Sequence, residues 1–180
     1  MVEKKLITLA CAVRILVCGA CFLPPLPEHQ PPPPPLPRLA LAGIQSIRVS
    51  VTNTSESHHL DPLDLARAVT KSINEQANET GISAYDQIYA GDAVLAITVL
   101  SESATPSTTG DKKVSFLIDI SATLTRQDGA VIWRETDAAY PFSYNLTSDH
   151  SEDAWQNAFL RTWLTNMLGT GLVHRMFHER

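Results

Sequence analysis

Beyond residue 21 the chain has no cysteine, for Cys11, Cys18 and Cys21 are the three in its 180 residues. Whatever folds after that point can form no disulfide and must rest on an apolar core. Glycine is scarce, at 8 residues, and gathers into no phosphate-cradling loop; H-E-x-x-H is missing too, and no downstream thiol can serve as a nucleophile. With the common enzyme signatures absent, no catalytic residue, cofactor or metal is assigned, and the chain is expected not to be an enzyme. Basic charge is also short, 14 Lys and Arg against 19 Asp and Glu for a net charge of −5. Nucleic-acid binders carry the opposite footprint, so no nucleic-acid partner is expected.

What is present begins with a basic and then apolar start. Lys4 and Lys5 precede the run Leu6 to Leu23, which ends in the small and sulfur-bearing residues Cys18, Gly19, Ala20 and Cys21. These are the parts of a secretory signal. The run would reach about 27 Å as a helix, near the lower limit for crossing a bilayer, and Arg14 sits within it. Residues 1–20 therefore read as a signal peptide, with an uncleaved anchor as the alternative. Cys18-Gly19-Ala20-Cys21 resembles a bacterial lipobox, with Cys18 where an aliphatic is usual; the expected lipidation site is Cys21, and a plain signal is the other reading. Acyl chains on Cys21 would add about 0.8 kcal/mol per buried methylene to membrane attachment. Cleavage would remove Lys4, Lys5, Arg14 and Glu3, taking the formal charge from −5 to −7.

Residues 21–41 form the expected tether. Pro24 to Pro37 holds nine prolines in fourteen positions. Proline fixes φ and donates no amide hydrogen bond, so this stretch favours polyproline II, a semi-rigid spacer of roughly 40 Å. Residues 42–180 form the expected domain. Ile44 to Val51 alternates as a first strand, and Asp61-Pro62 opens a helix whose apolar face is Leu65, Ala66, Val69, Ile73 and Ala77, closed by Gly81. Ile82 to Asp86 is a short edge strand. Asp92 to Leu100 is apolar on both faces, as in a strand covered on one side by helix and on the other by something else. Val114 to Leu124 alternates strictly, Asp128-Gly129 signals a hairpin, and Ala130 to Phe142 returns as its partner strand.

Ser151, Glu152 and Asp153 suit a helix start, and the final helix is expected to reach about His174. Trp155, Ala158, Phe159, Thr162, Trp163, Asn166, Met167 and Thr170 form one broad face of it, with Leu160, Leu164, Leu168 and Leu172 as a second stripe. A helix so apolar is either deeply buried or covered on its second side by another protein. The element order is β-α-β-β-β-β-α. The expected fold class is α+β: a two-layer sandwich of a four-stranded, mainly antiparallel sheet with two helices packed on one face. His58 and His59 are adjacent and read as solvated loop residues. His174 and His178 sit one helical turn apart at a chain end, and no metal is assigned to them.

Four segments carry a family resemblance. Asp92-Ala93-Val94-Leu95, the alternating strand Val114 to Leu124, Asp128-Gly129-Ala130-Val131-Ile132-Trp133-Arg134-Glu135, and Phe142-Ser143-Tyr144 before an acidic helix start are similar to the LPS-assembly lipoprotein family, LptE. The similarity runs from roughly Ile44 to Val173. It implies an outer-membrane lipoprotein on the periplasmic face, anchored in the membrane by lipid, with a two-helix, four-strand α+β fold. The implied partner is an LptD-like outer-membrane β-barrel, plugged and stabilised by this domain, with lipopolysaccharide as a further contact. Lys112 and Lys113, beside a strand end, are the candidate partner or ligand contacts; a solvated turn is the plainer reading. The alternative function is another envelope lipoprotein, such as an auxiliary subunit of a lipid or ABC transport system.

Overall fold

A computed structural model describes residues 41–86, 91–106, 113–146 and 154–178. The expected signal peptide, Cys21 and the proline tract up to residue 40 lie outside the described residues. Five strands occur: β1 (Ser46–Asn53), β2 (Ser83–Tyr85), β3 (Ala93–Pro106), β4 (Lys113–Arg126) and β5 (Val131–Asn145). The helices are α1 (Pro62–Glu75), the single turn α2 (Ala77–Thr80) and α3 (Ala158–His178). The strands form one sheet in the order β2-β1-β3-β4-β5.

The expected class, α+β, holds, but the expected sheet does not. The sheet has five strands and is mixed: β1 runs parallel to both β2 and β3, while β3, β4 and β5 form an antiparallel meander. Among the described residues three helices replace the expected two, because the first breaks at Gln76 and resumes for one turn before Gly81, at φ 70°. Strand polarity was out of reach because side-chain alternation has the same period of two in parallel and antiparallel strands. Ile82 to Asp86, read as an edge strand, supplies the three residues of β2 at the edge of the sheet.

Local signals acted as their chemistry requires. The Asp61 carboxylate accepts the free amide hydrogens of Leu63 at 2.7 Å and Asp64 at 3.3 Å, and Pro62 takes the first helical position. Gly129, at φ 86°, turns the β4–β5 hairpin, where the Arg126 amide donates to the Ala130 carbonyl at 2.9 Å. The start of α3 differs from expectation. The Asn157 side chain caps it, accepting from Phe159 at 3.0 Å and Leu160 at 3.2 Å, while Ser151 to Asp153 lie outside the described residues.

Both long helices cover one face of the sheet. Ile47 and Val49 of β1, Leu95, Ile97 and Val99 of β3, and Phe116, Ile118, Ile120 and Leu124 of β4 meet Leu65, Val69 and Ile73 of α1 and Leu160, Leu164, Leu168 and Leu172 of α3 in a single core. Among the described residues no element covers the opposite face, contrary to the expectation for β3. That face carries Ala96, Thr98, Ser101 and Ser103 of β3 and Ser115, Leu117, Ser121, Thr123 and Thr125 of β4, all half-buried or exposed.

Asp92 fastens the parallel pair where it begins. Its carboxylate accepts the Gln45 amide at 2.9 Å, the Ser46 amide at 3.0 Å and the Ser46 hydroxyl at 3.0 Å. The Gln45 amide first, and the Ser46 hydroxyl next, hold the Asp92 carboxyl below its usual range. A carboxyl whose folded-state pKa is depressed adds stability above its unfolded pKa of about 3.9 and loses it as pH falls through the folded value. Asp92→Asn should therefore be less stable than the native protein at neutral pH, and the gap should close on acidification below about pH 4. Urea midpoints compared across pH read this directly; a gap that stays constant would show that Asp92 does not act as a charge.

Candidate functional site

α3 presents two apolar rows. The first, Leu160, Leu164, Leu168 and Leu172, is buried against the sheet and α1. The second, Phe159, Trp163 and Met167, lies one residue earlier at the same spacing; Phe159 is 62% exposed and Met167 44%, while Trp163 is half-buried against the core. The rows sit side by side because residues four apart stack on one helical face.

β5 meets this second row. Its inward positions pair across the hairpin, Tyr140 with Ile118, Phe142 with Phe116 and Tyr144 with Val114. Beyond the Leu row, their rings reach α3. Tyr144 lies edge-on to Trp163 at 5.0 Å between ring centres and to Phe159 at 5.9 Å, and Phe142 lies edge-on to Trp163 at 6.3 Å. Such geometry sets the positive edge of one ring against the negative face of another. The result is an aromatic cluster half outside the core, flanked by Met167.

The cluster adjoins an open sheet edge. β5 closes the strand order, and among the described residues no strand pairs with its outer side. Pro141 removes one donor from this edge. A bulge opposite Ser121, with Asp137 at φ 50°, bends the strand midway. Next to the bulge, Glu135 is held by Arg175 of α3 and by the Tyr140 hydroxyl at 2.8 Å, while Arg175 lies 4.3 Å above the Tyr140 ring. These contacts fix the far end of α3 to β5, so the helix and the edge form one surface.

Of the candidate contacts, Lys113 is exposed at the first position of β4, beside the Val114–Tyr144 pair and therefore at the aromatic end of the sheet. Lys112, like Cys21, lies outside the described residues. His58 and His59 diverge, as adjacent loop residues do. His58 is exposed at φ 48°, whereas the His59 ring stacks on Trp155 at 4.5 Å, and Trp155 in turn meets Phe116 edge-on at 5.1 Å. Glu102 of β3 holds this loop by accepting the backbone amides of His59 at 2.7 Å and Leu60 at 3.3 Å.

A concavity of about 540 Å³ runs between α1 and α3 and is lined by His59, Asp64, Arg67, Lys71, Arg161 and Asn166 among others. Of its charges, Arg67 pairs with Asp64 at 3.3 Å and with Asp86 at 4.0 Å, and Lys71 with Glu75 at 3.8 Å. Among the described residues no group of three or more His, Cys, Asp or Glu side chains stands ready to hold a metal, and no helix is long and apolar enough to cross a membrane. The aromatic cluster is thus the feature with a chemistry of its own: flat π-faces, a thioether and a polar tip on Tyr144, arranged to bury apolar area. Sequence reasoning placed Phe159, Trp163 and Met167 on one helical face but missed their junction with Phe142 and Tyr144. The alternation of Tyr140, Phe142 and Tyr144 was the available signal.

No family model matches the chain, and no curated protein does. Among solved structures, the chain is similar to a minor lipoprotein from Acinetobacter baumannii, at 11% identity and TM-score 0.45, over 74% of this chain and 90% of that one. It is also similar to a Xanthomonas campestris protein of the DUF330 family, at 14% identity and TM-score 0.46, over 74% and 84%. A third likeness is to the lipoprotein GNA1162 from Neisseria meningitidis, at 16% identity and TM-score 0.39, over 73% and 96%.

Proposed function

We propose that this chain is an exported lipoprotein of the bacterial cell envelope that works by binding a protein partner at the β5–α3 surface, without catalysis or a cofactor. The observation that carries the reading is the outer row of α3, with Phe159 and Met167 exposed and Trp163 half-buried, joined to Phe142 and Tyr144 beside the open β5 edge. Aromatic residues and methionine are the types enriched in interface cores, and an unpaired strand edge supplies backbone donors and acceptors to an incoming chain. The basic and apolar start, the lipobox-like Cys18 to Cys21 and the proline spacer support tethering by lipid on Cys21. The segments that resemble LptE fall on β3, β4 and β5, and they point to a finer assignment: the partner is an LptD-type outer-membrane β-barrel, and the task is to assist lipopolysaccharide assembly from the periplasmic face.

Co-expression of the full chain with an LptD-type barrel, followed by capture in mild detergent, tests this. The native chain and Cys21→Ala are expected to retain the barrel, with Cys21→Ala released from membranes when the barrel is absent. Phe159→Ser should lose the barrel while costing less than about 0.5 kcal/mol of stability, since most of that ring already faces water. Failure of the native chain to retain the barrel would remove the assignment. Retention by Phe159→Ser and Trp163→Ser alike would move the interface elsewhere.

A further inference from the structure

The sequence leaves His174 and His178 unassigned because they fall near the end of the chain. In the structure α3 continues through His178, and the two imidazoles lie on one exposed face with ring centres 4.7 Å apart. We propose that His174 and His178 form a two-imidazole clip for a first-row divalent cation of the zinc and copper class. Two imidazoles that ligate one ion at about 2.0–2.1 Å place each ring centre about 3.2 Å from it. For angles from 90° to the tetrahedral value, the ring centres are then about 4.5–5.2 Å apart. The observed spacing falls inside that window.

Three further features favour the ion. Histidines at i and i+4 on a helix are the spacing at which two side chains reach one metal. The site lies in the last turn of α3, where unsatisfied carbonyls make positive charge favourable. Arg175, the cation nearest in sequence, is directed away and held by Glu135 on β5. Imidazole donors suit zinc, copper and nickel better than magnesium or calcium, and with two protein ligands the remaining positions stay open to water. Because Met176 and Phe177 of the same turn are buried, a bound ion also fixes the end of the helix that closes the core.

The test is calorimetric titration of the full chain, prepared in detergent without an affinity tag and with its free thiols alkylated, with zinc chloride or copper sulfate alone at pH 7.5. One ion per chain is expected. Removal of either ring by His174→Ala or His178→Ala should weaken binding about 100-fold, because the second imidazole binds at high effective concentration once the first has engaged. His58→Ala and His59→Ala should leave that step unchanged. Circular dichroism of each variant confirms that α3 is retained. Binding that survives the double replacement, or that weakens equally with His58→Ala, would overturn the proposal. So would a native affinity no greater than that of His174→Ala. None of these outcomes depends on capture of a barrel, so this proposal and the proposed function fail separately.

Discussion

Phe116→Ala is expected to destabilise the protein by about 3–5 kcal/mol, the largest effect of any single replacement considered. Phe116 is 2% exposed near the start of β4, where it pairs with Ala104 of β3 and Phe142 of β5. Removing the ring deletes apolar area and leaves a cavity that the surrounding strands, fixed by ladders on both sides, cannot fill. It also strips Trp155 of its edge-on partner and loosens the stack of Trp155 on His59, so the loop held by Glu102 should loosen with the core. Equilibrium denaturation followed by tryptophan fluorescence measures the loss, at roughly 2–4 °C of Tm per kcal/mol for a chain of this size. A loss below about 1 kcal/mol would mean that the β4 core relaxes freely around the gap, against the packing described.

The second large effect comes from two glycines of α3 with opposite demands. A Cβ built on Gly169 would stand 3.1 Å from the Ala68 carbonyl carbon and 3.1 Å from the Val69 amide nitrogen of α1. The helices cross there with backbone against backbone, and a larger side chain must push them apart. Gly169→Leu is expected to cost about 1–3 kcal/mol or more through overpacking. Gly171 is different, because its added Cβ would meet only the Tyr140 ring, at 3.5 Å, an ordinary contact. Gly171→Ala should instead stabilise the protein by about 0.5–1 kcal/mol, through the higher helix propensity of alanine. Opposite signs from sites two residues apart are the readout; two losses of similar size would mean that helix geometry, not the α1 crossing, sets the cost.

The parts of the fold that could be read in advance are those whose information is local. The Asp61-Pro62 start of α1 needs only neighbouring amides, the Asp128-Gly129 turn needs only its own φ values, and the alternation from Val114 to Leu124 records which side of one strand is dry. Pairing partners are set by tertiary packing, so the parallel β1–β3 contact was hidden. β5 runs past Phe142 to Asn145 because Pro141 sits in an edge strand, where a missing donor costs little. On α3 both the Leu row and the aromatic row are apolar, and periodicity alone does not say which meets the sheet. Their sizes decide it: the leucines fit between α1 and the strands, and the larger rings collect at the rim with Phe142 and Tyr144. Trp133 and Trp163, which sequence patterning leaves free to be core residues, are accordingly half-buried.

The parallel pairing of β1 with β3 also shapes how the chain reaches its native state. The meander from β3 to β5 closes through nearby residues, whereas Ile47 must find Ala93 across a span that contains both α1 and α2. Contacts so distant along the chain form slowly, because the ordering cost of the intervening segment precedes their reward. The C-terminal meander can therefore form early and offer β3 as the template on which β1 docks last.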